Sequence, residues 1–214
     1  MNNIINLTKM SFNNLNSVFK NICFIGIVWT LIAAVSPSFL SMLFGMGSYL
    51  VLYQVLAYED MHGVDNLIVS LPVKRSEYVV SRYVLGISVS TIVMFCLTII
   101  YFFINLINKN EMPIQVYLII GIISSVVVVS IITPIIIKFG TTKGRLIVFI
   151  VAMCIASSAT GFITIINQDM TIMLKIIYMI NNIGLPIVLV LASIVTLCIS
   201  MMISLKLYKN KELR

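Results

Sequence analysis

The sequence predicts an all-α, polytopic membrane protein with six transmembrane helices and both termini in the cytoplasm. Of its 214 residues, 60% are hydrophobic and 10% are charged, whereas soluble domains carry about 25% charged residues. Apolar runs near the length that a membrane-crossing helix needs recur along the chain. Because lipid cannot satisfy an open backbone, such runs are expected to be helices.

The chain is predicted to begin with an amphipathic helix over residues 1–20. At helical spacing its apolar side chains fall on one side and its Asn and Lys side chains on the other. This pattern is typical of a helix that lies in the cytoplasmic interface and leads into the first span. Residues 21–214 are then expected to form a single six-span domain.

Six apolar runs are predicted to cross the membrane: 18–35, 39–57, 83–107, 116–137, 146–166 and 183–205. With a cytoplasmic N-terminus, twelve of the fourteen Lys and Arg residues lie inside, and only Lys109 and Lys175 lie outside. The positive-inside rule therefore favours both termini in the cytoplasm, which also requires an even number of spans. A short basic turn over 138–145 is expected on the inside.

The outer segment 167–182 contains a run, residues 170–180, that is too short to cross and too apolar for a free loop. We predict an interfacial or re-entrant helix at the outer mouth of the protein. The alternative is a simple outward extension of the last span. The turn-like Asn181-Asn182 that follows the run argues against that alternative.

Several kinds of chemistry find no support in the sequence. No ionisable side chain lies deep in the predicted spans, where ion-driven carriers usually place one. His62 is the only histidine, and no HExxH, GxSxG or GxxxxGK[ST] motif occurs. We expect no catalytic residue, metal site, cofactor or nucleic-acid partner, and the four cysteines are expected to be small core residues. Because the sequence contains no sign of an energy source of its own, we expect a partner protein that supplies the energy.

The inside loop over residues 58–82 holds four of the seven acids. Because carboxylates favour helix N-termini, Glu59 and Asp60 are predicted to open a short helix after the second span. Ser76 is predicted to cap the next helix, which continues into the third span. The loop suits docking to a soluble partner; the alternative is a solvated loop whose bases meet anionic lipids.

The pair Glu59-Asp60, followed by SLPVKRSEYVVSRY at residues 70–83, resembles the small ABC-2 type transporter permeases. The peptide and antibiotic exporters of the phenol-soluble-modulin and lantibiotic-immunity type are in this neighbourhood. The resemblance implies a permease in the bacterial cell membrane that pairs with itself or with a related chain. It also implies a dimer of separate ATPase subunits that bind ATP and Mg, and amphipathic peptides, antibiotics or lipids as substrates.

By the same resemblance, the loop 58–82 is the coupling element and the segment 167–182 is an outer gate. The candidate coupling residues are Glu59, Asp60, Asp65, Leu67 and Ile68. The elbow that is expected to contact the ATPase or inner lipids consists of Pro72, Lys74, Arg75 and Arg82. The candidate gate residues are Met170, Met173, Ile177 and Ile180. An alternative function is a stand-alone membrane protein that binds a toxin peptide or a lipid without transport.

Overall fold

The structure is a computed structural model that describes residues 2–35, 37–64, 68, 73–107, 114–168, 170–181 and 184–209. The helices are α1 Asn2–Val35, α2 Pro37–Met61, α3 Arg75–Ile107, α4 Ile114–Gln168, α5 Met170–Asn181 and α6 Gly184–Lys209. The described residues include no strand, which confirms the predicted all-α class. Four of these helices (α1, α3, α4 and α6) are long and apolar enough to cross a membrane.

The first helix combines two segments that were predicted as separate elements. The amphipathic stretch 1–20 and the predicted first span form one helix of 34 residues, with no loop between them. In its first half, Leu7 and Ser11 are buried against the bundle. In its second half, large apolar side chains such as Phe24 and Leu31 are exposed, as expected of a surface that contacts lipid or another protein.

The end of α2 differs from the prediction. The helix continues to Met61, so Glu59 and Asp60 lie in its last turn and do not open a new helix. Gly63, at φ 64°, forms the turn that ends it, and its N–H donates to the Asp60 carbonyl at 3.1 Å. The expectation of a separate helix starting at Glu59 is therefore wrong in its boundary.

The start of α3 also lies earlier than predicted. The helix begins at Arg75, so Ser76 is not its N-cap. Instead, the Glu77 carboxylate accepts a hydrogen bond from the Lys74 backbone N–H at 3.1 Å. This is one half of a capping box, in which an acid in the first turn reaches back to the residue before the helix.

The predicted fourth and fifth spans belong to one element, α4, which is broken at Gly140. Gly140 has φ 72° and ψ 173°, a backbone conformation that is essentially restricted to glycine. The basic inside turn expected over 138–145 is thus a break at a single residue. The two arms of α4 on either side of it correspond to the two predicted spans, and the count of six spans stays a prediction.

The core lies between α2 and α4, with α6 packed on α4 and α1 lying across α2 and α3. Helices α3 and α4 approach closely at Gly86 of α3, where an added Cβ would lie 2.9 Å from Val129 of α4. Small residues at such crossings let membrane helices pack closely. A second, smaller core cluster surrounds Tyr101 and Tyr117, and α5 packs against it through Ile172 and Ile176.

Candidate functional site: a polar junction between the helices

Polar side chains from four helices meet inside the bundle, at the end of α2 and the beginning of α3. We call this cluster the polar junction. It consists of Ser11, Asn14, Glu59, Asp60, Tyr78, Arg82 and Thr141. The segments that contribute to it, apart from α1, are helix ends and a helix break that the predicted topology places on the cytoplasmic side. That topology places these segments on one side of the membrane, so it allows them to converge.

The centre of the junction is an ion pair between Arg82 Nη1 of α3 and Glu59 Oε2 of α2. Both side chains are buried, with 5% and 2% of their areas exposed. A carboxylate in the last turn of a helix is disfavoured by the helix dipole, and a buried charge without a partner is costly. Arg82 offsets both effects at Glu59, so the two residues depend on each other.

The first helix is attached to this ion pair by two further hydrogen bonds. The Asn14 amide donates to Glu59 Oε1 at 3.3 Å, and Arg82 Nη1 donates to the Ser11 hydroxyl at 3.1 Å. Ser11 and Asn14 are three residues apart on α1, so both side chains lie on one face of that helix. The amphipathic helix is therefore fixed to the bundle by polar contacts as well as by Leu7.

Tyr78 lies one helical turn before Arg82 and connects it to α6. Arg82 Nη2 donates to the Tyr78 hydroxyl at 2.8 Å, and the guanidinium carbon lies 4.5 Å from the centre of the Tyr78 ring. The Tyr78 ring in turn packs on the ring of Tyr208 near the end of α6, with centroids 5.2 Å apart. The planar, delocalised guanidinium suits this combination of ion pair and ring contact.

Asp60 connects α2 to the break in α4. Its Oδ2 accepts hydrogen bonds from the Thr141 backbone N–H at 2.8 Å and from the Thr141 hydroxyl at 2.5 Å. Because Gly140 interrupts the helix, Thr141 begins the second arm and its N–H has no carbonyl of its own helix to bond. The carboxylate of Asp60 therefore caps that arm from a neighbouring helix.

The predicted coupling residues lie in two different environments. Glu59 and Asp60 are inside the junction and bonded to partners in this chain. Ile68 is buried, at 5% exposure. Asp65 and Leu67 lie outside the described residues. Whether this set contacts an ATPase stays a prediction, but Glu59 contributes no surface to such a contact in this chain.

The predicted elbow residues also lie in two different environments. Lys74 and Arg75 are exposed, and Arg75 Nη1 donates to the Lys209 carbonyl at the end of α6 at 3.1 Å. Arg82 is buried in the junction, so the expectation that it faces a partner or lipid headgroups is wrong. The reason is the acid at position 59, which has no other described ion-pair partner. Pro72 lies outside the described residues.

Sequence reasoning missed the junction residues Ser11, Asn14, Tyr78 and Thr141. The Gly140-Thr141 pair gave a usable signal, because a glycine between two apolar runs marks a break, and the first residue after a break has an orphan N–H. Among the described residues, no group of three or more His, Cys, Asp or Glu side chains could hold a metal ion.

A family model described as an ABC-2 family transporter protein matches residues 6–209 of the chain. The chain belongs to the ABC-2 transporter family. It is thus a multi-pass membrane component of a transporter, and the family works in general with an ABC ATPase. Neither the curated proteins nor the solved structures searched contain a match.

A second polar network joins α3, α4 and α6 of this ABC-2 protein. The Tyr83 hydroxyl lies 2.6 Å from Ser200 Oγ and 2.7 Å from Ser204 Oγ, and Ser200 Oγ donates to the Ser130 carbonyl at 2.5 Å. Since the one proton of Ser200 is used there, Tyr83 donates to Ser200 and accepts from Ser204. Sequence reasoning missed this network, although Ser200 and Ser204 stand one helical turn apart.

The candidate outer gate of the ABC-2 protein is helical. The structure shows α5 as an element separate from α6. Leu174 and Tyr178 of α5 are exposed, at 61% and 72%. The side chains of the four predicted gate residues (Met170, Met173, Ile177 and Ile180) lie outside the described ones, and their role stays a prediction.

An apolar groove of about 480 Å³ lies between α1, α2 and α3. Its walls include Phe19 and Ile22 of α1, Leu50 of α2 and Ile92 of α3. A volume in this range is typical of sites for small organic ligands. The cysteines Cys23 and Cys96 also line the groove, and both carry free thiols.

Proposed function

We propose that this chain is the permease subunit of an ABC exporter that moves amphipathic or hydrophobic substrates, such as peptides and antibiotics, out of a bacterial cell. A dimer of separate ATPase subunits, which bind ATP and Mg, drives a pair of such permeases. The observation that carries the proposal, beyond family membership, is the polar junction. It attaches α1, α3, α4 and α6 to the last turn of α2, directly before the connection to α3.

Force applied to the connection between α2 and α3 would reach the bundle through two neighbouring side chains. Glu59 passes displacement to Arg82 on α3 and to Asn14 on α1, and Asp60 passes it to Thr141 at the break of α4. In this view Glu59 and Asp60 transmit motion inside the permease. Asp65 and Leu67 are proposed to contact the ATPase, and the buried Ile68 to anchor this connection to the bundle.

The basic elbow is proposed to orient this connection. Lys74 and Arg75 are exposed, and Arg75 donates to the Lys209 carbonyl at the end of α6. Pro72, two residues before Lys74 in the sequence, is proposed to form the corner. The outer gate is proposed to be α5, through Met170, Met173, Ile177 and Ile180. Because the predicted spans carry no ionisable side chain at depth, their interior suits a lipophilic substrate better than an ionic one.

The coupling role is tested in nanodiscs that contain the permease with its ATPase. Replacing Asp65 and Leu67 together by Ala should sharply reduce the substrate-stimulated ATPase rate, while the complex stays assembled. Alanine at both Glu59 and Asp60 is the poorer test, because it also removes contacts that hold the helices together. The matched control is Lys20→Ala at an exposed position of α1, outside the junction, the elbow and the gate, which should keep full stimulation. Full stimulation in the Asp65/Leu67 variant would refute the coupling role.

The direction of transport and the gate need separate measurements. Inside-out vesicles should accumulate a fluorescent amphipathic peptide only when ATP is present. Cysteine placed along α5 in a cysteine-free background should react with an external reagent on one face only. Uniform labelling along the whole of α5 would count against a gate.

The alternative, a stand-alone protein that binds a toxin peptide or lipid without transport, is favoured by the apolar groove between α1, α2 and α3. Purification in mild detergent distinguishes the two functions. Co-purification of a nucleotide-binding subunit supports the exporter. A chain that protects cells from a toxin peptide in the absence of any ATPase supports the alternative.

A further inference from the structure

A small cavity lies inside the polar junction, between α2, α3, α4 and α6. Its volume is about 30 Å³. The side chains on its wall that carry polar atoms are Glu59, Asp60, Tyr78, Arg82, Thr133, Thr141 and Tyr208. A cavity needs about 10–15 Å³ of such volume to hold one water molecule, so this cavity has room for about two.

Thr133 of α4 makes this cavity different from an ordinary packing defect. Its side chain is buried, at 1% exposure, and its hydroxyl oxygen has no hydrogen-bond partner among the described residues. Most other Ser and Thr hydroxyls of the helices bond back to their own backbone, as Ser90 does to the Gly86 carbonyl at 2.8 Å. A buried hydroxyl without a partner costs free energy unless water supplies the bond.

Acceptors for a water molecule are present on the same wall. Asp60 Oδ2 receives two hydrogen bonds from Thr141, whereas a carboxylate offers about four acceptor positions. Glu59 accepts from Asn14 and Arg82 on its two oxygens. A water molecule between Thr133 and the acids would thus find the two to four polar partners that buried waters have in folded proteins.

We propose that the cavity binds ordered water, about two molecules, which bridges the Thr133 hydroxyl to the carboxylates of Glu59 and Asp60. This water is part of the polar junction. It connects the first arm of α4, which carries Thr133, to the last turn of α2, as the Asp60–Thr141 bonds connect the second arm. Both sides of the α4 break are then hydrogen-bonded to the same turn of α2.

The test is a comparison of isosteric substitutions in the full chain in nanodiscs, monitored by thermal unfolding. Thr133→Val removes the hydroxyl and should lower Tm by about 2–4 °C, the shift expected for a loss near 1 kcal/mol in a chain of this size. Thr133→Ser keeps the hydroxyl and should recover part of that loss. The matched control is Ser48→Ala, because Ser48 is equally buried and unpartnered but does not line this cavity. Its Tm should stay the same or rise.

Three results would each overturn the proposal. A Thr133→Val variant as stable as the parent would show that the hydroxyl has no water partner. A parent Tm that rises when choline is replaced by Na⁺ or K⁺ at constant ionic strength, with the rise lost in Thr133→Val, would assign the cavity to a cation. If Thr133→Val fails to fold, high-resolution density for the parent chain decides: ordered peaks between Thr133 and the acids support water, and an empty cavity refutes it.

Discussion

Arg82 of α3 and Glu59 of α2 form an ion pair in the interior of the helical bundle. Taking two charges out of water is costly, and their attraction offsets this cost only when further hydrogen bonds satisfy both groups. Here Ser11, Asn14 and Tyr78 supply those bonds. The pair is thus a condition for the packing of α1, α2 and α3 at this end.

Removing one charge of this pair is expected to be more harmful than removing both. Arg82→Met or Glu59→Met should each destabilise the protein by about 3–5 kcal/mol, because the remaining charge is buried without a partner. The double variant Glu59→Met/Arg82→Met should recover much of this loss. Unfolding by SDS in mixed micelles measures the three free energies and gives the coupling energy of the pair.

The exposed base Lys74 provides the control for this cycle. Lys74→Met should change the unfolding free energy by less than about 0.5 kcal/mol, as expected of a surface position. Equal losses in Lys74→Met and Arg82→Met would contradict the assignment of Arg82 to the interior.

The contrast between Arg82 and Lys74 also shows what the sequence could predict. The apolar runs and the distribution of bases predicted the helices well, because lipid imposes helix on every long apolar segment. They could not show that Arg82 turns inward while Lys74 stays exposed, since both precede the same span. That difference depends on Glu59, which lies in the last turn of α2 and reaches Arg82 only when α2 and α3 pack together.

The hydroxyl of Tyr83 is expected to stabilise the crossing of α3 and α6. Tyr83→Phe removes the hydrogen bonds to Ser200 and Ser204 and leaves Ser204 buried without that partner. Hydrogen bonds between membrane helices contribute about 0.6 kcal/mol on average and up to about 1.7, so a loss of about 1–2 kcal/mol is expected. Tyr178→Phe, at an exposed site, is the control. Equal stability of the Tyr83 variant and the parent would show that the network contributes nothing.

The approach of α3 to α4 at Gly86 should not tolerate a methyl group. A Cβ there would lie 2.9 Å from Val129 Cγ1, and both residues are buried. We expect Gly86→Ala to destabilise by about 1–3 kcal/mol through overpacking. The paired variant Gly86→Ala/Val129→Ala should recover part of that loss, and recovery in the SDS unfolding series would identify the contact. Gly26→Ala, where nothing lies within 4 Å, should instead stabilise α1 by about 0.5–1 kcal/mol.

The break in α4 is expected to require glycine at position 140. The main reason is the backbone conformation there, and the space around an added side chain matters less. At Gly140 the φ of 72° and ψ of 173° lie in a region open essentially to glycine alone, while a Cβ would meet Asp60 Oδ2 at an acceptable 3.4 Å. Gly140→Ala should therefore cost about 1–3 kcal/mol, and Gly140→Asn about the same, because asparagine relieves strain only in the left-handed helical region.

If Asp60→Ala removed the cost of Gly140→Ala, the contact with Asp60 would be the cause. If the cost persists in the Asp60→Ala background, measured by thermal unfolding, the backbone is the cause. Gly161→Ala in the same helix has open space around it and should not lower stability.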